Sequence, residues 1–199
     1  MAPKFLMRVI REPQSGKAFE VVNAALAFRQ QAGTTDSTVT MSVFSPITRV
    51  ITAVPFDDMT AIEGLVDRVF SDPERQAAYD AIGALCNSVN INLSRVINPP
   101  DGIENAKCVR RYVFHHDTHS RRQLVGALME LNEHGDGPKV GITVSMNGPA
   151  VIATLAAQSL SEIEEANDRL ENDAGTQARA AAVLAASTTW MSGIAKVMS

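Results

Sequence analysis

The sequence predicts an α+β protein built from two tandem βαββαβ repeats. The pattern Ile-Glu, Asp-Arg, Asp at residues 62–72 recurs at residues 163–173 with a constant offset of 101 residues. The apolar segments 50–54 and 93–97 have counterparts at 151–155 and 194–198 at the same offset. Between the copies, the run Asn-Pro-Pro-Asp-Gly that begins at residue 98 has no apolar period. Since an internal repeat indicates architecture directly, we predict repeat one over residues 1–97, a linker over 98–106 and repeat two over 107–199.

Each repeat begins with a strand followed by a helix. Residues 5–11 alternate apolar and basic side chains and stop just before a proline, as is typical of an extended segment. The matching strand of the second copy begins at Cys108, which is an offset of 103. Apolar residues then recur at helical spacing in both copies. We expect Ser15 and Thr118 to cap these helices, and Gly33 and Gly135 to end them.

The rest of each repeat predicts a hairpin, two helices and a final strand. Residues 39–45 and 49–54 form the first hairpin, and Asn147-Gly148-Pro149 marks the turn of the second. Thr60 to Glu63 and Ser161 to Glu164 match the Ser/Thr-x-x-Glu capping box, which explains both glutamates better than a catalytic role would. Asp72 and Asp173 are expected to cap the helix that follows. The last strands are predicted over residues 91–97 and 192–198.

Composition excludes several classes of function. A net charge of −4 without a basic block argues against nucleic-acid binding, and only 5% of residues are aromatic, which leaves few platforms for stacking bases. No apolar run approaches the roughly 20 residues of a membrane helix, and the first residues lack the apolar core of a signal peptide. We therefore expect a cytoplasmic protein that interacts with neither membranes nor nucleic acids. Cys86 and Cys108 do not correspond between repeats, which predicts free thiols.

This order of elements resembles the dimeric α/β-barrel superfamily, particularly its NIPSNAP-like and antibiotic-biosynthesis-monooxygenase-like branches. The resemblance covers almost the whole chain and includes the Ser71-Asp72-Pro73-Glu74 opening of a second short helix. It implies two ferredoxin-like antiparallel sheets packed as an intramolecular barrel, with a homodimer as a further possibility. It also implies cofactor-independent monooxygenase or isomerase activity as one alternative, and we expect no cofactor. Amino-acid-binding ACT modules have shorter repeats, and RNA-binding domains need more aromatic residues on the central strands than residues 5–11 provide.

Polar side chains in the strands suggest a ligand site. Small polar residues gather on what we take to be one face of the first repeat, and this set is Thr40, Ser42, Thr52 and Asn92. The matching positions of the second copy carry smaller and mostly less polar residues. We therefore expect a small metabolite to bind in the lumen between the two sheets. The alternative is a packed lumen in a structural or partner-binding protein.

Two kinds of charged or titratable residue add to this hypothesis. Arg8 and Arg111 occupy matching positions in apolar first strands, where each guanidinium either binds an acidic ligand or reaches solvent. His115, His116 and His119 lie together only in the second copy. His116 and His119 are weak candidates for metal ligands, but no further ligand is evident, so we expect no metal and read the cluster as an exposed loop. No catalytic residue can be assigned from the sequence.

Overall fold

The computed structural model describes residues 2–134 and 139–198. The first repeat contains β1 (Phe5–Pro13), α1 (Ala18–Gln31), β2 (Thr38–Val43), β3 (Val50–Phe56), α2 (Met59–Phe70), α3 (Pro73–Gly83) and β4 (Cys86–Asn98). A short 3₁₀ helix, Ile103–Asn105, follows. The second repeat contains β5 (Cys108–His115), α4 (Arg121–His134), β6 (Gly141–Ser145), β7 (Ala150–Ala157), α5 (Leu160–Asn172), α6 (Ala174–Ala185) and β8 (Thr189–Met198). The order of elements is the same in both copies, as predicted.

The strands form a closed sheet. Followed from one hydrogen-bonded neighbour to the next, the order is β1-β3-β2-β8-β5-β7-β6-β4, which returns to β1 as an eight-stranded barrel. The chain divides into two compact units, Met1–Ser94 with Lys196–Ser199, and Arg95–Ala195. Strands β4 and β8 each contribute residues to both units. The predicted α/β-barrel architecture is therefore confirmed.

Each unit has an apolar core between its helices and its own part of the sheet. In the first unit, Val21 and Val22 of α1 pack with Val39 and Val50 of the hairpin. In the second unit, the corresponding layer joins Leu124 and Leu128 of α4 to Ile142 and Val151. Burying one such side chain completely contributes about 1.5–3 kcal/mol, so these helix–sheet layers position the strands whose side chains could form a site.

Several predicted helix starts are wrong. α1 begins after Lys17 without a side-chain cap, so Ser15 does not cap it. Thr118 is not the cap of α4 either, because that helix begins at Arg121. The capping-box assignments were displaced by two residues: Asp58 caps α2 and Ser159 caps α5, so Thr60 and Ser161 already lie inside their helices.

Other local predictions are confirmed. Asp72 accepts hydrogen bonds from the backbone of α3, and Asp173 does so at the start of α6. Gly33 ends α1 in the left-handed conformation, with a φ of 68°, whereas Gly135 lies outside the described residues. Both cysteines are free thiols. No helix within the described ranges is long and apolar enough to cross a membrane.

Candidate functional site

The strand register of the first repeat assigns its side chains to two faces. Arg8 of β1 pairs with Ala53 of β3, whereas Thr52 pairs with Val9 on one side and Val39 on the other. Residues paired across neighbouring strands point to the same face of a sheet. Because Val39 packs against α1, Thr52 lies on the helix-side face and Arg8 lies on the opposite, helix-free face.

This register corrects the polar face expected from the sequence. Thr52 does not share a face with Thr40, because Thr40 pairs with Ile51 and lies on the helix-free side. Alternation along the chain cannot be carried across a hairpin turn, since the turn decides whether even residues of one strand pair with even or odd residues of the next. Ser42 accepts from the backbone N–H of Arg49 at 2.7 Å, so its hydroxyl helps to close the β2–β3 turn.

The helix-free face of the first unit holds a chain of hydrogen bonds that starts at Arg8. The Arg8 side chain is only 2% exposed and donates through Nη1 to Ser94 Oγ at 3.2 Å. Ser94 in turn donates to Asn92 Oδ1 at 2.7 Å. Thr40 donates to the carbonyl of Ile51 at 3.4 Å. Arg8, Ser94 and Asn92 are therefore joined in one chain of hydrogen bonds.

The matching face of the second unit is polar at different places. The expectation of less polar counterparts is wrong for Thr40, because the register matches it with Thr143. Arg111 pairs with Thr154 across β5 and β7, and burial lowers its pKa to about 10. The positions equivalent to Asn92 and Ser94 carry Gly193 and Ala195. The arginine is thus common to both copies, whereas its serine and asparagine neighbours occur only in the first.

The histidine cluster is not the exposed loop expected from the sequence, because His115 ends β5 and His116 is buried. His116 is 5% exposed, and its Nδ1 lies 2.6 Å from the carbonyl oxygen of Asp117. Asp117 Oδ1 accepts from the backbone N–H groups of Ser120 at 2.8 Å and His119 at 2.9 Å. The hydrogen bonds from Ser120, followed by the one from His119, lower the pKa of Asp117. Across the described residues, no three His, Cys, Asp or Glu side chains are placed to hold a metal ion.

An open cleft of about 400 Å³ lies beside this loop. It is bordered by His116, Asp117 and Arg121 on one side and by the β6–β7 turn at Gly148 and Pro149 on the other. Asp117 Oδ1 holds the turn before α4, and the cleft is widely open to solvent. We regard it as a surface feature of the loop.

A more enclosed cavity of about 100 Å³ lies on the helix-side face of the first unit. Its floor is formed by β1 and β3, and its walls by α1, α2 and α3. The lining is mostly apolar and includes Met7, Val9, Ala25, Phe28, Val54, Leu65 and Val69. Half-exposed Val66, Phe70 and Ile91 also line the cavity and lead from it to the surface. Sequence reasoning did not identify this cavity.

Two arginines also line the cavity. Arg11 is 3% exposed and donates through Nη1 to Thr52 Oγ1 at 2.9 Å. Burial lowers the pKa of Arg11, and Tyr79 and Cys86 oppose that shift. Arg29, in the last turn of α1, donates to the carbonyl of Ser37 at 3.2 Å. Its Nε is buried and has no hydrogen-bond partner among the described residues.

The second unit carries larger side chains at the equivalent positions. Val9 and Ala25 of the first copy correspond to Tyr112 and Leu128, and Arg11 corresponds to Phe114. The guanidinium carbon of Arg110 lies 4.9 Å from the centre of the Tyr112 ring, and its Nη1 donates to Asn167. Burial raises the pKa of Tyr112. The lining of the cavity is therefore specific to the first repeat.

This difference between the copies was visible in the sequence. Aligning the repeats places small Val9 and Ala25 opposite large Tyr112 and Leu128, and places apolar Val66 opposite Asn167. What the sequence could not show was that these positions, which lie far apart along the chain, line one space.

Comparison with known proteins shows the fold and not the activity. No family model matches the chain, and no curated protein matches it. A "Putative monooxygenase" from Fusobacterium nucleatum superposes with a TM-score of 0.72 at 9% identity, covering 100% of this chain and 94% of that one. An anthrone oxidase-like protein gives a TM-score of 0.68 at 12% identity, with 100% and 94% covered. A mutant chlorite dismutase from Candidatus Nitrospira defluvii gives 0.55 at 8% identity, with 100% and 92% covered.

The protein therefore has the dimeric α/β-barrel fold, in the arrangement in which one chain carries both ferredoxin-like repeats. This fold is shared by the monooxygenase-like and chlorite dismutase structures that match it. The narrower NIPSNAP-like assignment stays a prediction.

Proposed function

We propose that the protein binds a small organic metabolite in the helix-side cavity of its first repeat. The observation that carries this proposal is the apolar cavity of the first repeat, whose lining positions carry the larger Tyr112 and Leu128 in the core of the other repeat.

The energetics support a functional reason for the cavity. A fully enclosed empty space in a protein core costs about 24 cal/mol per Å³. For a cavity of about 100 Å³ that opens to the surface, about 2 kcal/mol is therefore an upper limit. The second repeat carries the larger side chains Tyr112 and Leu128 at matching positions of the same fold. A ligand that occupies the cavity would recover the lost contacts, and its size would correspond to a single ring or a short branched chain.

The proposal is tested with neutral probes of that size. Indole and toluene should shift the methyl NMR signals of Val54 and Leu65, which line the cavity. The signals of Leu128 and Val144, which lie in the core of the second unit, serve as the internal reference and should not move. Equal shifts in both sets, or none at saturating probe, would contradict binding at this site.

A cofactor-independent monooxygenase is the second candidate function, and it is favoured by the names of the similar structures. In such a reaction, an anthrone-like carbon acid loses two hydrogens and gains one oxygen atom, and the second atom of O₂ leaves as water. Arg11 would stabilise the negative oxygen of the deprotonated substrate. A tricyclic anthrone exceeds a cavity of about 100 Å³, so monocyclic quinols and aromatic ketones are the appropriate panel. Oxygen uptake with one of these substrates that is lost in Arg11→Met would support catalysis. No oxygen uptake with any substrate of the panel would contradict it.

The helix-free face of the first repeat is a further proposed binding surface, in keeping with the lumen hypothesis. It is supported by the buried chain from Arg8 through Ser94 to Asn92. Asn92→Leu would remove the acceptor of the Ser94 hydroxyl, so we expect a loss of about 1 kcal/mol in stability and weaker binding of any small anion at this face. Calorimetric titration of acetate into the unchanged protein and into Asn92→Leu measures the effect on anion binding. Unchanged acetate affinity would argue against this surface.

A further inference from the structure

We infer that the ligand of the helix-side cavity is a small organic carboxylate, with its apolar part among the cavity's aliphatic side chains and its charge beside Arg11 and Arg29. This inference rests on the proposed binding function and specifies its chemistry.

The first argument is the cost of the buried charge. Arg11 is almost completely excluded from solvent, yet its described hydrogen bond goes to the neutral hydroxyl of Thr52. None of the ion pairs found among the described residues involves Arg11. A buried guanidinium without a negative partner is strongly unfavourable. A carboxylate is its best complement, because its two oxygens match the planar fork of N–H donors.

The second argument is that a second cation lines the same cavity. The buried Nε of Arg29 is an unused donor among the described residues, and no Asp or Glu lines the cavity. The charge on the lining side chains is therefore entirely positive, which favours an anion over a neutral or cationic ligand.

The repeats again provide the comparison. The positions of Arg11 and Arg29 carry Phe114 and Asn132 in the second copy. Asn132 there bonds both backbone groups of Val140, at 2.8 and 3.0 Å. The second copy thus lacks these two charges, and its one arginine at a matching position, Arg110 in place of Met7, already has Tyr112 and Asn167 as partners.

The test compares carboxylates with neutral molecules of the same shape. Benzoate with nitrobenzene, and the smaller isobutyrate with isobutyramide, are titrated into the full-length protein while the methyl signals of Val54 and Leu65 are followed. Charge-assisted hydrogen bonds to a buried arginine should make each carboxylate bind about 10- to 100-fold more tightly than its neutral partner. Arg11→Met should remove most of this preference and leave nitrobenzene within about threefold of its original affinity, and Arg11→Lys should restore only part of it because the fork geometry is lost.

Arg49→Met is the control, because Arg49 is a surface residue of the same unit paired with Glu12 at 3.1 Å. It should leave both affinities unchanged. If the neutral probes bind in the cavity as well as the carboxylates do, the binding proposal stands and the carboxylate inference is wrong. If no probe shifts the cavity signals, both are wrong. A carboxylate preference that survives Arg11→Met but disappears in Arg8→Met would place the anion on the opposite face and overturn the inference. The comparison of paired probes needs no variant, so it decides the question even if Arg11→Met fails to fold.

Discussion

Filling the cavity with the side chain that the second repeat uses should stabilise the protein and abolish binding. The change is Ala25→Leu, which copies Leu128 at the matching position. Ala25 is 2% exposed and lines the cavity, so the added carbons would enter existing space. The substitution adds three carbon atoms, each worth about 0.8 kcal/mol when buried, for a gain of about 2 kcal/mol.

The volume of the cavity sets an upper limit of similar size. About 100 Å³ would cost about 2 kcal/mol if the space were fully enclosed and empty. In a protein of 199 residues, such a gain raises the melting temperature by roughly 4–8 °C. Local overpacking would subtract from the gain, so a smaller increase is still consistent with the cavity.

Urea denaturation and calorimetry measure the free energy of unfolding and the melting temperature, and NMR titration with indole measures binding. Ala27→Leu is the matched control, since Ala27 is exposed on the same helix, and its effect should stay within about 0.5 kcal/mol. Destabilisation by Ala25→Leu of more than about 1 kcal/mol would show that the space is not available. Stabilisation with unchanged indole binding would show that the ligand binds elsewhere.

The remaining predictions concern stability. A Cβ atom on Gly141 would lie 2.5 Å from Cδ and 2.7 Å from the backbone N of Pro100, so Gly141→Ala should destabilise the protein by about 1–3 kcal/mol in urea denaturation. Gly126→Ala is the control: no atom lies within 4 Å of the added Cβ, so it should be neutral or stabilising by up to about 1 kcal/mol. Equal effects of the two substitutions would refute the close approach at Gly141. Asp58→Ala should lower the free energy of unfolding by about 1 kcal/mol through loss of the α2 cap, and Thr60→Ala should lower it by less than half of that. The reverse order would indicate that Thr60 caps α2, as the sequence predicted. Hydrogen bonds from Thr176 lower the pKa of Asp173 in the folded protein. The contribution of Asp173 to stability should therefore be present above the pKa of about 3.9 in the unfolded chain and be lost as pH falls through the lower folded value. If the melting temperature of Asp173→Asn depends on acid pH as that of the unchanged protein does, this prediction is contradicted.

The sequence by itself determined the order of elements and the duplication. The constant offset between the copies and the periodic apolar residues are local signals, because strand and helix periods are read along the chain. They also predicted the caps at Asp72 and Asp173. The caps of α2 and α5 were misplaced because Asp58 and Ser159 lie only a few residues before Thr60 and Ser161, and either position offers a suitable side chain.

Only the tertiary structure decided which side chains face each other. The face of Thr52 depends on the β2–β3 register, which places it beside Arg11 and away from Thr40. The cavity depends on three helices and three strands meeting around Val9 and Ala25, so no single segment carries its signature. Packing and pairing join residues that are distant along the chain, and for that reason the sequence defined the repeats while the structure located the space where a ligand could bind.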